Sequence, residues 1–304
     1  MMPLRGVLAP VITPFGPGLA PDPARFQRHC AWLLAHGCAG LAPFGTTSEA
    51  TSLGLDERKD LLEGLVASGV DPARLLPGTG CCALPETAAL SAHAVALGCS
   101  GVLVLPPFYY KGVSEEGLFR SYSEVIQRVG DARLRIYLYH IPPISGVPLP
   151  IGLVERLLKA YPGTVAGVKD SGGDWAHTEV LLGLAAQGLE VFVGSEVFLL
   201  RALRAGGAGC VTASANLNPG ALDQLYRRWR EPGAEAMQAA ADRVRTILQS
   251  HGPLVPAIKA VVAHFAQDPA WQTVRPPLVP LSEPQVRELV QDLAEAGFAM
   301  PEWS

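Results

Sequence analysis

Short apolar runs rich in Val, Ile, Leu or Tyr alternate along this chain with longer amphipathic segments. The runs predict strands near 7–13, 40–44, 75–79, 101–105, 135–140, 165–169, 191–194 and 209–213. The longer segments predict helices near 22–36, 56–69, 84–97, 115–129, 150–160, 175–187, 196–205 and 218–230. A strand followed by a helix, repeated, implies parallel strands joined by crossover helices. Eight such units within about 230 residues are what an α/β fold of the (β/α)8 TIM-barrel type requires.

Boundary residues agree with this pattern. Asp22, Asp56 and Ser114 stand where helix caps are needed. His36-Gly37, Leu97-Gly98 and Ala205-Gly206 read as helix stops, because glycine takes the left-handed conformation readily. The phrases AHGCAGL, ALGCSGV and RAGGAGCV share one rhythm of helix end, glycine, small residue, glycine and strand. Beyond residue 230 the rhythm changes, and 234–250, 254–267 and 282–298 read as helices without intervening strands. The expected organisation is a catalytic barrel over 1–230 and a small C-terminal helical appendage over 231–304. The competing architecture is an open doubly wound sheet with a nucleotide site. It lacks its signatures, since no G-x-G-x-x-G opens a helix and no G-x-x-x-x-G-K-[ST] occurs.

Composition narrows the function class. The 304 residues are 49% hydrophobic and only 17% charged, with a formal net charge of -4. A nucleic-acid binder usually carries a basic patch or stripe, and none is visible. No run approaches the ~18 apolar residues of a membrane span. The apolar N-terminal stretch is broken by Pro10 and Pro14 and has no cleavage site, so a cytoplasmic location is expected. Six cysteines without a C-x-x-C pair suit buried thiols in a reducing compartment. Seven histidines show neither H-x-H nor H-E-x-x-H spacing, so neither a metal nor any other cofactor is expected. A G-x-S-x-G nucleophile elbow is also absent.

In a (β/α)8 barrel the chemistry gathers at the C-terminal strand ends. Lys169 is the most informative residue there. Of five lysines, it alone terminates an apolar strand, Val165-Ala166-Gly167-Val168. Burial penalises the charged ammonium, and a neutral amine attacks carbonyls. The plainer alternative is a barrel lysine paired with Asp170 or Glu49, and the pattern alone does not choose. Tyr139 shares a strand face with Tyr137, so an inward Tyr139 would approach Lys169 and could relay a proton. On pattern alone, a core tyrosine with a satisfied hydroxyl fits somewhat better. Thr46 and Thr47 lie in a Gly-preceded turn whose hydroxyls and backbone N–H groups can hold a carboxylate. His140 would face away from Tyr139.

These residues fall within phrases that resemble the dihydrodipicolinate synthase / N-acetylneuraminate lyase family. The phrases are GTTSEA at 45–50, PPFYYKGVSEEG at 106–117, YHIPPISG at 139–146, GVKDSGGD at 167–174, GSE at 194–196 and GGAGCVTASAN at 206–216. PAIKAVV at 256–262 fits the family's C-terminal helices, and the match runs from about residue 5 to beyond 265. The resemblance implies Lys169 as the Schiff-base lysine and Tyr139 as the proton shuttle. It implies Thr46 and Tyr110 as further relay members, with the Tyr110 equivalent coming from a neighbouring subunit. Thr46 and Thr47 would bind the pyruvate carboxylate, and Gly194 and Val211 would line the bound oxo acid. A homo-oligomer built as a dimer of dimers is implied, with a small 2-oxo acid and an aldehyde as its partners. One departure matters for the substrate. Synthases of the family carry an arginine where Ile144 stands, and that arginine holds the carboxylate of aspartate semialdehyde. The expected activity is therefore a pyruvate-dependent class I aldolase or lyase acting on a 4-hydroxy-2-oxo acid or sugar-acid derivative. Dihydrodipicolinate synthase proper and a Schiff-base sugar-acid dehydratase are the alternatives. A non-catalytic barrel is disfavoured by the joint presence of Lys169, Tyr139 and Thr46.

Overall fold

The computed structural model describes residues 4–302, so the extreme ends of the two expected domains lie outside the described residues. Seven strands form one parallel sheet: β1 Gly6–Ala9, β2 Gly40–Leu41, β3 Val102–Val104, β4 Ile136–His140, β5 Val165–Asp170, β6 Glu190–Val193 and β7 Gly209–Val211. Their order is β2-β1-β7-β6-β5-β4-β3. The expected strand at 75–79 closes the ring through single bridges, Leu41 to Leu75 and Gly78 to Leu103. Leu76 donates to the Leu41 carbonyl at 2.8 Å, and Thr79 donates to that of Leu103 at 3.0 Å. Pro43 and Pro77 carry no N–H, so a continuous ladder cannot form there and the closure is made of bridges.

Alternation along the strands sorts side chains between two cores. Leu8, Leu76, Leu103, Tyr137, Tyr139, Phe192 and Val211 fill the barrel interior. Val7, Ala9, Leu41, Ile136, Leu138, Val168 and Val193 point outward into the larger cluster beneath the helices. Gly167 makes room for Tyr137, since a Cβ there would lie 2.5 Å from the tyrosine ring.

The helices of the barrel layer are α1 Pro23–Ala35, α2 Leu55–Ala67, α3 Leu84–Ala96, α4 Glu115–Val129, α5 Pro142–Ser145, α6 Ile151–Ala160, α7 Trp175–Gly183, α8 Leu199–Arg204 and α9 Pro219–Arg228. Asp22 and Ser114 cap α1 and α4 by accepting from Arg25 N and Gly117 N. Such a cap typically stabilises by about 1 kcal/mol. Asp56 is no cap. Helix α2 begins one residue earlier than expected, because Glu57 turns back to accept the Gly54 N–H at 2.9 Å. The helices expected over 175–187 and 196–205 each include a 3-10 turn, at Leu184–Gln187 and Glu196–Phe198. The single turn α5, directly after β4, was not expected.

Past the barrel come α10 Ala234–Ser250, α11 Leu254–Phe265 and α12 Glu283–Glu295. Leu248, Ile258, Val261 and Leu289 belong to the same buried cluster as the outward strand residues. The C-terminal helices therefore share a core with the barrel and bring α10 and α11 over its C-terminal strand ends. No helix among the described residues is long and apolar enough to cross a membrane.

Candidate active site

Strand register builds the centre. Tyr139 of β4 and Lys169 of β5 are direct partners in the parallel ladder, and both point inward. Lys169 is 4% exposed. Its Nζ donates to the Tyr139 hydroxyl at 3.1 Å and lies 4.2 Å from the centre of that ring. The Tyr139 hydroxyl is in turn 3.3 Å from Thr46 Oγ1. Burial opposes ionisation of the Tyr139 phenol, but the Lys169 charge and hydrogen bonds with Thr46, Lys169 and Ser171 outweigh it. The hydroxyl is held below the ordinary phenol range.

Thr46 and Thr47 sit on the single 3-10 turn Thr46–Ser48 that follows β2. Thr13 pins this turn by donating to the Ser48 carbonyl at 2.8 Å. Glu49 ends it in the left-handed region, at φ 56°. Its carboxylate is locked by an ion pair with fully buried Lys259 of α11 and by Arg275 N at 2.9 Å. Gly78 is obligatory beside this turn, because a Cβ would lie 2.1 Å from the Phe44 carbonyl oxygen.

The two carboxylates that could have neutralised Lys169 are both engaged elsewhere. Glu49 belongs to Lys259. Asp170 accepts from Gly172 N at 2.9 Å, Thr178 Oγ1 at 2.8 Å and His177 Nδ1 at 3.0 Å. The Lys169 amine thus faces a hydroxyl where a carboxylate might have stood.

His140 faces outward from β4, as alternation requires, and stacks on His177 with ring centres 4.1 Å apart. Together with Asp170 they form a group of suitable type and spacing for a metal ion. Hydrogen bonds already use most of the ligand atoms. His140 Nδ1 accepts from Leu149 N at 3.0 Å, and His177 Nε2 lies 3.2 Å from the Leu149 carbonyl. Burial pushes the His140 imidazole down to about 4. His177 is raised, first by its hydrogen bond to Asp170, and its burial does not offset this. With an acceptor on each nitrogen, His177 suits the doubly protonated form.

A cavity of about 610 Å³ opens above these groups at the C-terminal strand ends. It brings together Lys169, Tyr139, Thr46, Thr47, Gly194, Val211 and Ile144. Gly194 keeps the wall open, since a Cβ there would lie 2.9 Å from the Ser171 Cα. Ile144, on α5, is 65% exposed at the rim. Tyr110 is not brought in. It is 67% exposed on the loop before α4, packed edge-to-face on Tyr109. A larger recess, about 700 Å³, lies at the opposite barrel end beside Arg5, Tyr137 and Glu190, away from Lys169.

Sequence reasoning missed several residues of the cavity. Ser171 follows Asp170, and its hydroxyl joins the Tyr139 network. The GVKDSGGD phrase contained it without marking its role. Arg245 and Gln249 reach the cavity from α10, outside the expected barrel domain, so no strand-end rule could find them.

The sequence matches the Dihydrodipicolinate synthetase family over residues 3–296. An uncharacterised DapA-like lyase of Chloroflexus aurantiacus is 34% identical over 287 residues, 94% of each chain. The crystal structure of dihydrodipicolinate synthase from Agrobacterium tumefaciens superposes with a TM-score of 0.89 at 33% identity, covering 96% of this chain and 99% of that one. A prophage protein of the same family from E. coli K12, crystallised with pyruvate, gives a TM-score of 0.89 at 28% identity, covering 97% and 99%. Strand order, site geometry and these likenesses agree, and the chain belongs to the dihydrodipicolinate synthetase family, whose members are Schiff-base lyases and aldolases.

Proposed function

We propose that this chain is a pyruvate-dependent class I lyase or aldolase in which Lys169 forms a Schiff base with a 2-oxo acid. The observation that carries this reading is the chain Lys169 Nζ to Tyr139 hydroxyl to Thr46 Oγ1, at 3.1 and 3.3 Å, with no carboxylate of a described residue on the amine. The pyruvate in the E. coli relative supports the same substrate class.

Once its ammonium has released a proton to solvent, Lys169 Nζ adds as the neutral amine to the C2 carbonyl of a 4-hydroxy-2-oxo acid held by its carboxylate at Thr46 and Thr47. Tyr139 supplies the proton with which the carbinolamine hydroxyl leaves as water, and an iminium remains. Loss of the C4-hydroxyl proton to Tyr139 lets the C3–C4 bond break, and its electron pair enters the iminium. The aldehyde departs, the enamine takes a proton at C3, and water returns the amine and releases pyruvate. A phenol held below its usual range is suited to both directions of transfer. Gly194 and Val211 bound the oxo acid, and Tyr110 joins the relay from a partner subunit.

Dihydrodipicolinate synthase proper is the second reading, because the Agrobacterium relative bears that name. Ile144 argues against it. An isoleucine at the cavity rim gives a substrate carboxylate no donor, whereas a guanidinium would grip it bidentately.

The test is borohydride reduction in the presence of pyruvate, followed by mass mapping. Covalent labelling of the Lys169 peptide is expected in the wild type and none in Lys169→Ala. Labelling that survives the substitution at equal yield would refute the proposal.

A further inference from the structure

Arg245 is the only arginine that lines the candidate active-site cavity among the described residues. It enters from α10, on the wall formed by the residues after β6 and β7. Its neighbour there is Glu196, which is fully buried. That carboxylate is already served by the hydroxyls of Thr212 and Ser214, both in close hydrogen bonds. Arg245 adds only Nη1, at 3.4 Å from Glu196 Oε2 and 3.4 Å from Thr212 Oγ1. Its Nε is buried without a hydrogen-bond partner, and its hydrogen bonds to described residues leave Nη2 unused. Nη2 is the nitrogen left to the cavity, and a guanidinium nitrogen donates a charge-assisted hydrogen bond to a carboxylate. Gln249, one helical turn further along α10, also lines the cavity and adds an amide to the same wall.

We infer that Arg245 is a specificity-determining residue, and that the physiological substrate carries a second carboxylate at the end distant from its 2-oxo group. This rests on the Schiff-base reading above. The substrate class becomes a dicarboxylic 4-hydroxy-2-oxo acid. Its 2-oxo end is held at Lys169, Thr46 and Thr47, and its far carboxylate meets Arg245. Ile144 follows β4, two strands round the barrel from β6, so the anion site stands on a different wall from the one Ile144 leaves without a donor. Val197, Phe198 and Leu254 line the same cavity and give Arg245 an apolar flank.

The experiment compares two six-carbon 4,5-dihydroxy-2-oxo acids, one ending in a carboxylate and the other in a primary alcohol, by the rate of pyruvate release. The wild type is expected to favour the dicarboxylate by about tenfold to a hundredfold in kcat/KM, the scale of a hydrogen bond to a charged group. Arg245→Gln is expected to abolish that preference mainly through KM. Arg245→Lys, which keeps a positive charge beside Glu196 on a shorter side chain, is expected to retain part of it. A wild-type preference for the alcohol overturns the inference without any variant. A preference unchanged in either variant also overturns it. Pyruvate trapping on the wild type separates the two failures: trapping with no role for Arg245 rejects this inference alone, and no trapping rejects the Schiff base itself.

Discussion

Tyr139 stands at the junction of the site, touching the amine of Lys169 on one side and the hydroxyl of Thr46 on the other. Removing its hydroxyl leaves the ring, and therefore the packing inside the barrel, unchanged. Tyr139→Phe is expected to lower kcat by about 10²- to 10⁴-fold, the usual worth of a positioned proton donor. Its stability should fall by only about 1 kcal/mol, the net worth of a typical hydrogen bond. Steady-state kinetics with a urea titration checks both parts, and a variant with near wild-type turnover would reduce Tyr139 to a packing residue. Lys169 and Tyr139 could be selected from the residue pattern because strand alternation is a local rule. What alternation left open was whether Lys169 has a carboxylate partner. Only the engagement of Glu49 by Lys259 and of Asp170 by His177 answers that.

Between β5 and α7 runs the loop 171–174, which carries Ser171 into the cavity. Its anchor is Asp170, tied to His177 and Thr178 on α7 and to the backbone at Gly172. His177 has its folded-state pKa raised above the usual value near 6.5, so its contribution to stability is fully present below about pH 6.5. That contribution is lost as pH rises through the raised folded value. His140 is depressed to about 4 and acts in the opposite sense below about pH 6.5, so the comparison must be with a variant and not with pH alone. The stability difference between wild type and His177→Gln is expected to be largest at mildly acid pH and to shrink towards alkaline pH. Urea midpoints across that range measure it, and a difference that does not vary with pH would contradict the protonated role assigned to His177. Nothing in the sequence announced this element-level clamp, because His140 and His177 have no metal-like spacing and meet only when β4 and α7 pack around β5.

At the scale of the whole molecule, Tyr109 and Tyr110 remain exposed, at 75% and 67%, on a loop that does not fold into its own cavity. A partner subunit that buries them would complete the relay, as the family resemblance implies. The protein is expected to sediment as a homotetramer made of tight dimers. Its specific activity should fall on dilution in step with dissociation, whereas a fully active monomer at nanomolar concentration would exclude a contribution from Tyr110 of a neighbour. The barrel itself was legible in the sequence, because strand period, helix period and glycine stops are set within a few residues. So was the inward face that carries Tyr139 and Lys169, since a period of two needs no distant partner. The expected strand at 75–79 took its place, but Pro43 and Pro77 reduced its ladder to bridges, a consequence of missing donors that only barrel closure exposes. Pairings across the chain were decided by the tertiary structure alone. Lys259 meets Glu49 across 210 positions, and Arg245 meets Glu196 across 49. Local propensity carries no information about such separations; they follow from where α10 and α11 dock over the strand ends, which is determined by burial of their apolar faces against the barrel.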